Sequence, residues 1–405
     1  MGASMPKPVE AAVVERHAAR GWTAAVAEVN GWRPNMEDAH VVHLEDDWAF
    51  FGVFDGHSGQ ACSAFVSRRF REELSQRGCP EDDASVKSLV LGIDREFLAS
   101  KQPGGSTGTM CIVHKPKWRG GRHLLRVANV GDSRVLLGRR DGSIVDGGGT
   151  DQGLTMDHKP DMPSERARIE RCGGTVRSPG QSLGNVARVN GELSVSRAFG
   201  DSKHKRTGGP GPEDRPITAD PELARFECDE TDFLLLVCDG MSECSFPAGE
   251  VVRFVAERLN AGMDAGAAAR LACLEAIRRG SRDNVTCMVV LLTGPSAIET
   301  GVEFVPGPIT HIHRKGFQSA YQEMALRAGL SLAQAAALRF EAAQRELVEA
   351  PTDALRHELA SLGSPQGAPG SAERLAWFEA WLRRAPPAFG GLLCGSGLRS
   401  ADAGA

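Results

Sequence analysis

An α/β sandwich, with helices packed outside its sheets, is the fold class this sequence predicts, and three observations predict it. From Trp22 to about Leu292 many short β-rich runs are bounded by Gly, Asp and Asn. Amphipathic helical stretches are few. Strands and helices also fail to alternate strictly, as they would in a parallel sheet.

Strands are expected over Thr23–Val29, Ala39–Leu44, Trp48–Phe54, Thr109–His114, His123–Asn129, Arg134–Gly138, Phe233–Val237 and Val285–Leu292, each an apolar run closed by turn residues. Helices are expected after Ser58, through "ACSAFVSRRFREEL", and over Ser85–Ala99. A third covers Pro163–Cys172, where Gly173 and Gly174 supply the stop, and two more cover Ala248–Leu259 and Ala265–Arg279. Beyond Leu292 the composition turns to Ala, Leu, Arg and Glu. Ser331 and Gln334 fit a capping box, and Leu332, Ala336, Phe340, Ala343 and Leu347 then form an apolar stripe that Pro351 ends. Leu375, Phe378, Trp381 and Leu382 mark a last amphipathic helix. The organisation that follows is a lead over 1–21, a main domain over 22–293, a connection over 294–309, a helical extension over 310–385 and a flexible tail over 386–405. No site residue lies in the extension, so its loss is expected to lower stability and solubility while preserving metal dependence.

The chain has 405 residues, 41% hydrophobic and 24% charged, enough for one large domain and an appendage. A net charge of −5 provides no basic field for nucleic acid or an anionic membrane. Ten cysteines without a C-x-x-C pair, several inside apolar runs, read as reduced thiols in a reducing compartment. The N-terminus carries no apolar signal core, and the longest apolar runs are too short to span a bilayer. The expectation is a cytoplasmic monomer, with "KHKR" at Lys203–Arg206 as a weak nuclear signal set against an ordinary solvated loop.

Acids recur at strand ends or in adjoining turns: Glu37 and Asp38 in "RPNMEDAH", Asp55 in "VFDGH", Asp132 in "NVGDSR", Asp239 in "LVCDGMSE" and Asp283 in "GSRDN". A sandwich brings strand ends together, and a buried carboxylate is costly unless paired or metal-bound. Carboxylates without clustered His or Cys select hard cations, so Mg²⁺ or Mn²⁺ is expected. Two such ions would activate water for hydrolysis of a phosphoester. Arg33 offers a bidentate donor to phosphate, and His57 is placed to protonate the leaving alkoxide as general acid.

The segments "RPNMEDAH", "FFGVFDGHSG", "GSTGTM", "RVANVGDSRVLL", "LTMDHKP", "ERARIERCGGTV", "VNGELSVSRAFGD", "DFLLLVCDGMSE" and "GSRDNVTCMVV", in this order from Trp22 to Leu292, resemble the metal-dependent protein phosphatases of type 2C. The resemblance implies an α-β-β-α sandwich, two central antiparallel sheets flanked by helices, that hydrolyses phosphoserine and phosphothreonine in protein substrates with two Mg²⁺ or Mn²⁺ ions. It implies that Asp55 bridges both metals, that Gly56 lends a backbone carbonyl, that Glu37 serves one ion and that Asp239 and Asp283 serve the other. It further implies that Asp38 orients metal-bound water, that Arg33 binds phosphate, that His57 is the general acid and that Asp132 holds a weaker third metal. Two departures stand out. Ser58 replaces the family's glycine after His57, which removes backbone freedom. Glu243 replaces an Asp and puts the third site in doubt.

The other readings are a pseudophosphatase scaffold that binds phosphoproteins and a small-molecule phosphomonoesterase. The first would be expected to lack ligands that are all present here; the second shares the chemistry. Cys62 and Arg68 match C-x₅-R, the spacing of cysteine-dependent phosphatases, but the stretch has no glycine and reads as helix. His311 and His313 have no nearby third ligand, and Trp377 and Trp381 read as helix packing.

Overall fold

The structure, a computed structural model, describes residues 5–118, 120–178, 186–209, 211–294 and 299–384. Its first sheet has six strands in the order Glu299–Val305, Val9–Ala19, Trp22–Gly31, Val285–Leu291, Phe233–Val237 and Arg134–Gly138. The second has five, in the order Glu222–Cys228, His123–Val130, Gly108–His114, Trp48–Phe54 and Ala39–Leu44. Neighbouring strands are antiparallel in both sheets.

The two-residue alternation of a strand decides what covers each face. Ala24 and Val26 meet Phe51, Val53, Val113 and Val127 in the core between the sheets. Their neighbours Ala25, Ala27 and Val29 face the helices Ala248–Asn260 and Ala265–Arg278, where Ala268, Ala269, Ala272 and Ala276 keep the surface low enough for close approach. On the second sheet Phe50 and Phe54 point the other way from Phe51 and Val53. They stack on Phe70 of the helix Ala61–Arg77, with ring centroids 5.2 and 5.4 Å apart, and the helix Asp83–Ser100 completes that layer. The layers are therefore helix, sheet, sheet, helix.

Beyond the sandwich lie four helices, Lys315–Arg327, Leu332–Glu349, Asp353–Leu362 and Ala372–Arg383. The Ser331 capping box is formed in both directions. Ala336, Phe340 and Ala343 of the apolar stripe are buried, while Leu332 and Leu347 are half-buried. The helices share one core with Phe304, Met36 and the Val9, Ala11 and Val13 side of the strand Val9–Ala19, whose Ala12 and Val14 serve the opposite face. Arg339 and Glu358, both buried, join two of the helices through bonds of 2.7 and 3.0 Å.

Three strands differ from the sequence expectation. Residues 1–21 are not merely a lead, because Val9–Ala19 pairs with Trp22–Gly31 across the first sheet. The connection over 294–309 contains the edge strand Glu299–Val305. Glu222–Cys228 is likewise an edge strand, of the second sheet. Apolar groups at consecutive positions from Ala11 to Val14, needed because both faces are covered, hide the alternation of the first. Edge strands need little apolar pattern, as the half-exposed Val302 illustrates. The tail over 386–405 lies outside the described residues.

Candidate active site

The acids come from loops at strand ends, and glycines let those loops meet. Asp55 follows the buried strand Trp48–Phe54; its amide donates to Thr107 Oγ1 and its carbonyl accepts from the Thr107 amide at 2.8 Å, which fixes the main chain. Asp239 opens a single helical turn directly after Phe233–Val237. A β-carbon at Gly240 would stand 1.9 Å from the Asn284 carbonyl oxygen, so this approach requires glycine. Asp283 precedes the strand Val285–Leu291, and Arg33 Nη2 donates to its Oδ2.

Two clusters result. Ligand atoms of Asp38, Asp55 and Cys238 lie within 4.8 Å of one another, and so do those of Asp132, Asp239 and Glu243. Burial pushes the Asp38 carboxyl up to about 7, against the hydrogen bond from Thr286 and with the help of Asp283, Glu28 and Asp239. Burial first, then the charges of Asp38, Asp283 and Asp132, holds Asp55 well above the carboxylate range. Asp239 is raised in the same way by burial, Asp55, Asp132, Glu243 and Asp283. Asp38 Oδ1 and Asp132 Oδ1 are buried and have no hydrogen-bond partner among the described residues. Acids crowded until they resist ionisation, with oxygens left bare, fit a cation.

The remaining expected residues stand nearby in different settings. Glu37 belongs to neither cluster: its Oε1 accepts from the Gly59 amide at 3.0 Å. Gly56 lies against the Glu37 carbonyl, 2.4 Å from where a β-carbon would sit. Burial opposes the charged form of Arg33, but the fields of Asp283, Asp239 and Asp55 outweigh it and raise the guanidinium further. His57 Nε2 is 2.8 Å from Asp201 Oδ2. Burial works against protonation of that ring, yet Asp201, with Asp132 and Glu37 behind it, raises its pKa. Ser58 adopts φ = 60°, the left-handed region where a side chain costs about 1–2 kcal/mol relative to glycine.

Sequence reasoning missed Asp201, Lys159 and Asn284 as site residues. A β-carbon at Gly105 would lie 2.3 Å from Asp201 Oδ2 and 2.4 Å from His57 Nε2, so that glycine makes room for the pair. Lys159 Nζ donates to Asp132 Oδ2 at 2.6 Å and to Glu243 Oε1 at 2.9 Å, placing an ammonium where the resemblance implied a third metal. Asn284 Oδ1 accepts from the Glu37 amide at 2.9 Å. Each sits in a segment that carries the resemblance, "AFGD", "DHKP" and "RDN", without a local pattern of its own.

Other motifs resolve without chemistry. Cys62 is buried inside the helix Ala61–Arg77 and burial drives its thiol pKa well up, so C-x₅-R forms no phosphate loop. Within "KHKR", Lys205 is buried against Asp94 at 2.7 Å and Lys203 pairs with Glu192. His313 packs on Trp381, ring centroids 5.0 Å apart. A cavity of about 670 Å³ between the helices Ala61–Arg77 and Asp83–Ser100 is lined by none of the clustered acids.

The fold and site define a two-sheet α/β sandwich that gathers acidic residues at its loops. A family model described as protein phosphatase 2C matches residues 22–285. The chain is 36% identical over 296 residues to "Probable protein phosphatase 1N" of Mus musculus, covering 68% of this chain and 66% of the relative. It is 34% identical over 256 residues to "Probable protein phosphatase 2C 4" of Paramecium tetraurelia, covering 58% and 77%. The crystal structure of a phosphatase from Toxoplasma gondii superposes with a TM-score of 0.63 at 27% identity, over 72% of this chain and all of that one. The chain belongs to the protein phosphatase 2C family and is a protein phosphatase. No helix among the described residues is long and apolar enough to cross a membrane.

Proposed function

We propose that this protein hydrolyses phosphoserine and phosphothreonine in proteins, with Asp55, Asp239 and Asp283 holding Mg²⁺ or Mn²⁺ and Glu37, Gly56 and Asp38 completing the surroundings. The observation that carries the reading is the crowding of Asp38, Asp55 and Asp239, buried carboxylates that raise one another's pKa and that a cation would stabilise in their charged form. When bound, such cations lower the pKa of water and neutralise phosphate oxygens.

The chain's own groups supply the rest. Arg33, half-exposed and steered by Asp283, presents its free guanidinium edge to a phosphate. His57 is held by Asp201, whose charge favours the protonated ring against burial, and gives its proton to the departing serine or threonine oxygen. Lys159 supplies positive charge to Asp132 and Glu243, so the reading uses two ions rather than three. Nine free cysteines among the described residues support a reducing, cytoplasmic setting.

The test is phosphate release from a phosphothreonine peptide with Mn²⁺ and with excess chelator. Release that needs Mn²⁺ and stops with chelator supports the reading. Full release in chelator refutes the metal chemistry, and no release under either condition favours a binding scaffold.

A further inference from the structure

The stretch from Arg33 to Asp38 carries Glu37 and Asp38 yet forms no helix or strand. Its backbone must be held by groups from elsewhere. Each carbonyl from Asn35 to Asp38 accepts a hydrogen bond from a side chain of another element. Asn284 Nδ2 donates to Asn35 O at 3.0 Å, and Ser63 Oγ donates to Glu37 O. The other two belong to Arg327, whose Nη2 donates to Met36 O and to Asp38 O, both at 3.0 Å.

Arg327 is the last residue of the helix Lys315–Arg327, outside the sandwich. Its Nη1 donates to Glu28 Oε2 at 2.7 Å, and Glu28 in turn faces His40 Nδ1 at 2.8 Å. The guanidinium is thus anchored in the first sheet while its other edge grips the loop. The same helix also holds the loop by packing, since the buried Met36 side chain shares a core with Phe317, Tyr321 and Met324.

We propose that Arg327 is a positioning residue: through the Met36 and Asp38 carbonyls it sets the backbone that aims Glu37 and Asp38, which makes the helical extension a working part of the catalytic site. The inference rests on the reading of Glu37 and Asp38 as site residues. It adds to the expected loss of stability and solubility on removing the extension, because that removal also takes away both hydrogen bonds to the loop.

Arg327 has two separable jobs, balancing Glu28 and gripping the carbonyls. In the full chain, Arg327→Met does away with both, Glu28→Gln takes the charge from Glu28 but keeps an oxygen for the guanidinium, and Arg327→Met/Glu28→Gln removes the grip while leaving His40 balanced by Glu15 rather than one buried negative charge in excess. The measurements are Mn²⁺ affinity by calorimetry, kcat and KM on a phosphothreonine peptide, and metal-free Tm. Glu28→Gln, which keeps an oxygen acceptor for Arg327, is expected to stay closer to wild type in Mn²⁺ affinity and kcat than Arg327→Met does. The double variant is expected to regain the Tm lost in Arg327→Met but to bind Mn²⁺ about tenfold or more weakly, with kcat falling more than KM rises. Wild-type affinity and kcat in the double variant would overturn the proposal and leave Arg327 as a counter-ion.

Arg327→Lys covers the case in which the methionine variants fail to fold. One ammonium replaces the fork that spans Glu28 and both carbonyls, so faster amide hydrogen exchange over residues 33–40 is expected and unchanged exchange overturns the proposal. Should wild type itself bind no Mn²⁺, the metal reading fails, while the exchange measurement still decides whether Arg327 holds the loop.

Discussion

Replacing His40 by Gln should flatten the pH dependence of stability between about pH 6.5 and 9. His40 is buried between two acids, with Nδ1 2.8 Å from Glu28 and Nε2 3.1 Å from Glu15. Burial alone would disfavour its charged form, but Glu28 and Glu15 overcome it and raise the imidazole from 6.5 to about 9. A group whose folded pKa lies above its unfolded value stabilises fully below the unfolded value and loses that contribution as pH rises through the folded one. At about 1.4 kcal/mol per pH unit, a rise from 6.5 to about 9 corresponds to roughly 3 kcal/mol. Glu28, lowered to about 2 by Arg327 and His40 against burial, titrates far below this window and stays charged across it. The assay is urea unfolding of wild type and His40→Gln in chelator at pH 6.5, 8 and 9.5. Asp38 and other titrating groups are common to both proteins, so the difference between them reports His40. A difference between the two proteins that shrinks by about 3 kcal/mol from pH 6.5 to 9.5 is the expected outcome. A constant difference would show that His40 is not a buried cation.

His57→Ala should slow a phosphopeptide by about 10²-fold or more and an aryl phosphate much less, because an aryl oxide leaves without a proton; equal losses would remove His57 from the acid role. Asp201→Asn should move the alkaline limb of the phosphopeptide kcat profile to lower pH, since it takes away the charge that favours protonated His57; an unmoved limb would mean that another group sets it. Lys159→Met strips the ammonium from Asp132 and Glu243, and Mn²⁺ calorimetry should then find an additional equivalent relative to wild type; unchanged stoichiometry would show that Lys159 excludes no cation. Cys62→Ser should turn over at near-normal rate, and a folded but inactive variant would contradict the helical reading of C-x₅-R.

What could be read from the sequence, and what could not, divides along a physical line. Trp48–Phe54, Phe233–Val237 and Arg134–Gly138 are legible because a buried strand bounded by turn residues writes its own limits. Asp55, Asp239 and Asp283 are legible for the related reason that a carboxylate against such a strand calls for a partner. The resemblance added roles that spacing alone does not assign, Gly56 and Asp132 among them. Val9–Ala19 escaped because its two faces serve two different cores and its alternation is lost.

The residues missed at the site share a different property: each acts on a group far away in the chain. Lys159 meets Glu243 across 84 positions, Asp201 meets His57 across 144, Asn284 meets Glu37 across 247 and Arg327 meets Asp38 across 289. No periodicity encodes such a pair, and each residue has an ordinary local explanation. Arg327 is the clearest case, because a basic residue in the last turn of a helix already complements the helix dipole. Its sequence position therefore suggests nothing beyond a capped helix end. The apolar stripe of the extension shows that a face must be buried, but it is silent on which polar group that burial delivers and where. Here the packed core of the extension sets one guanidinium against two carbonyls beside Glu37. On the proposed reading, a segment that contributes no atom to the chemistry sets the geometry of residues that do.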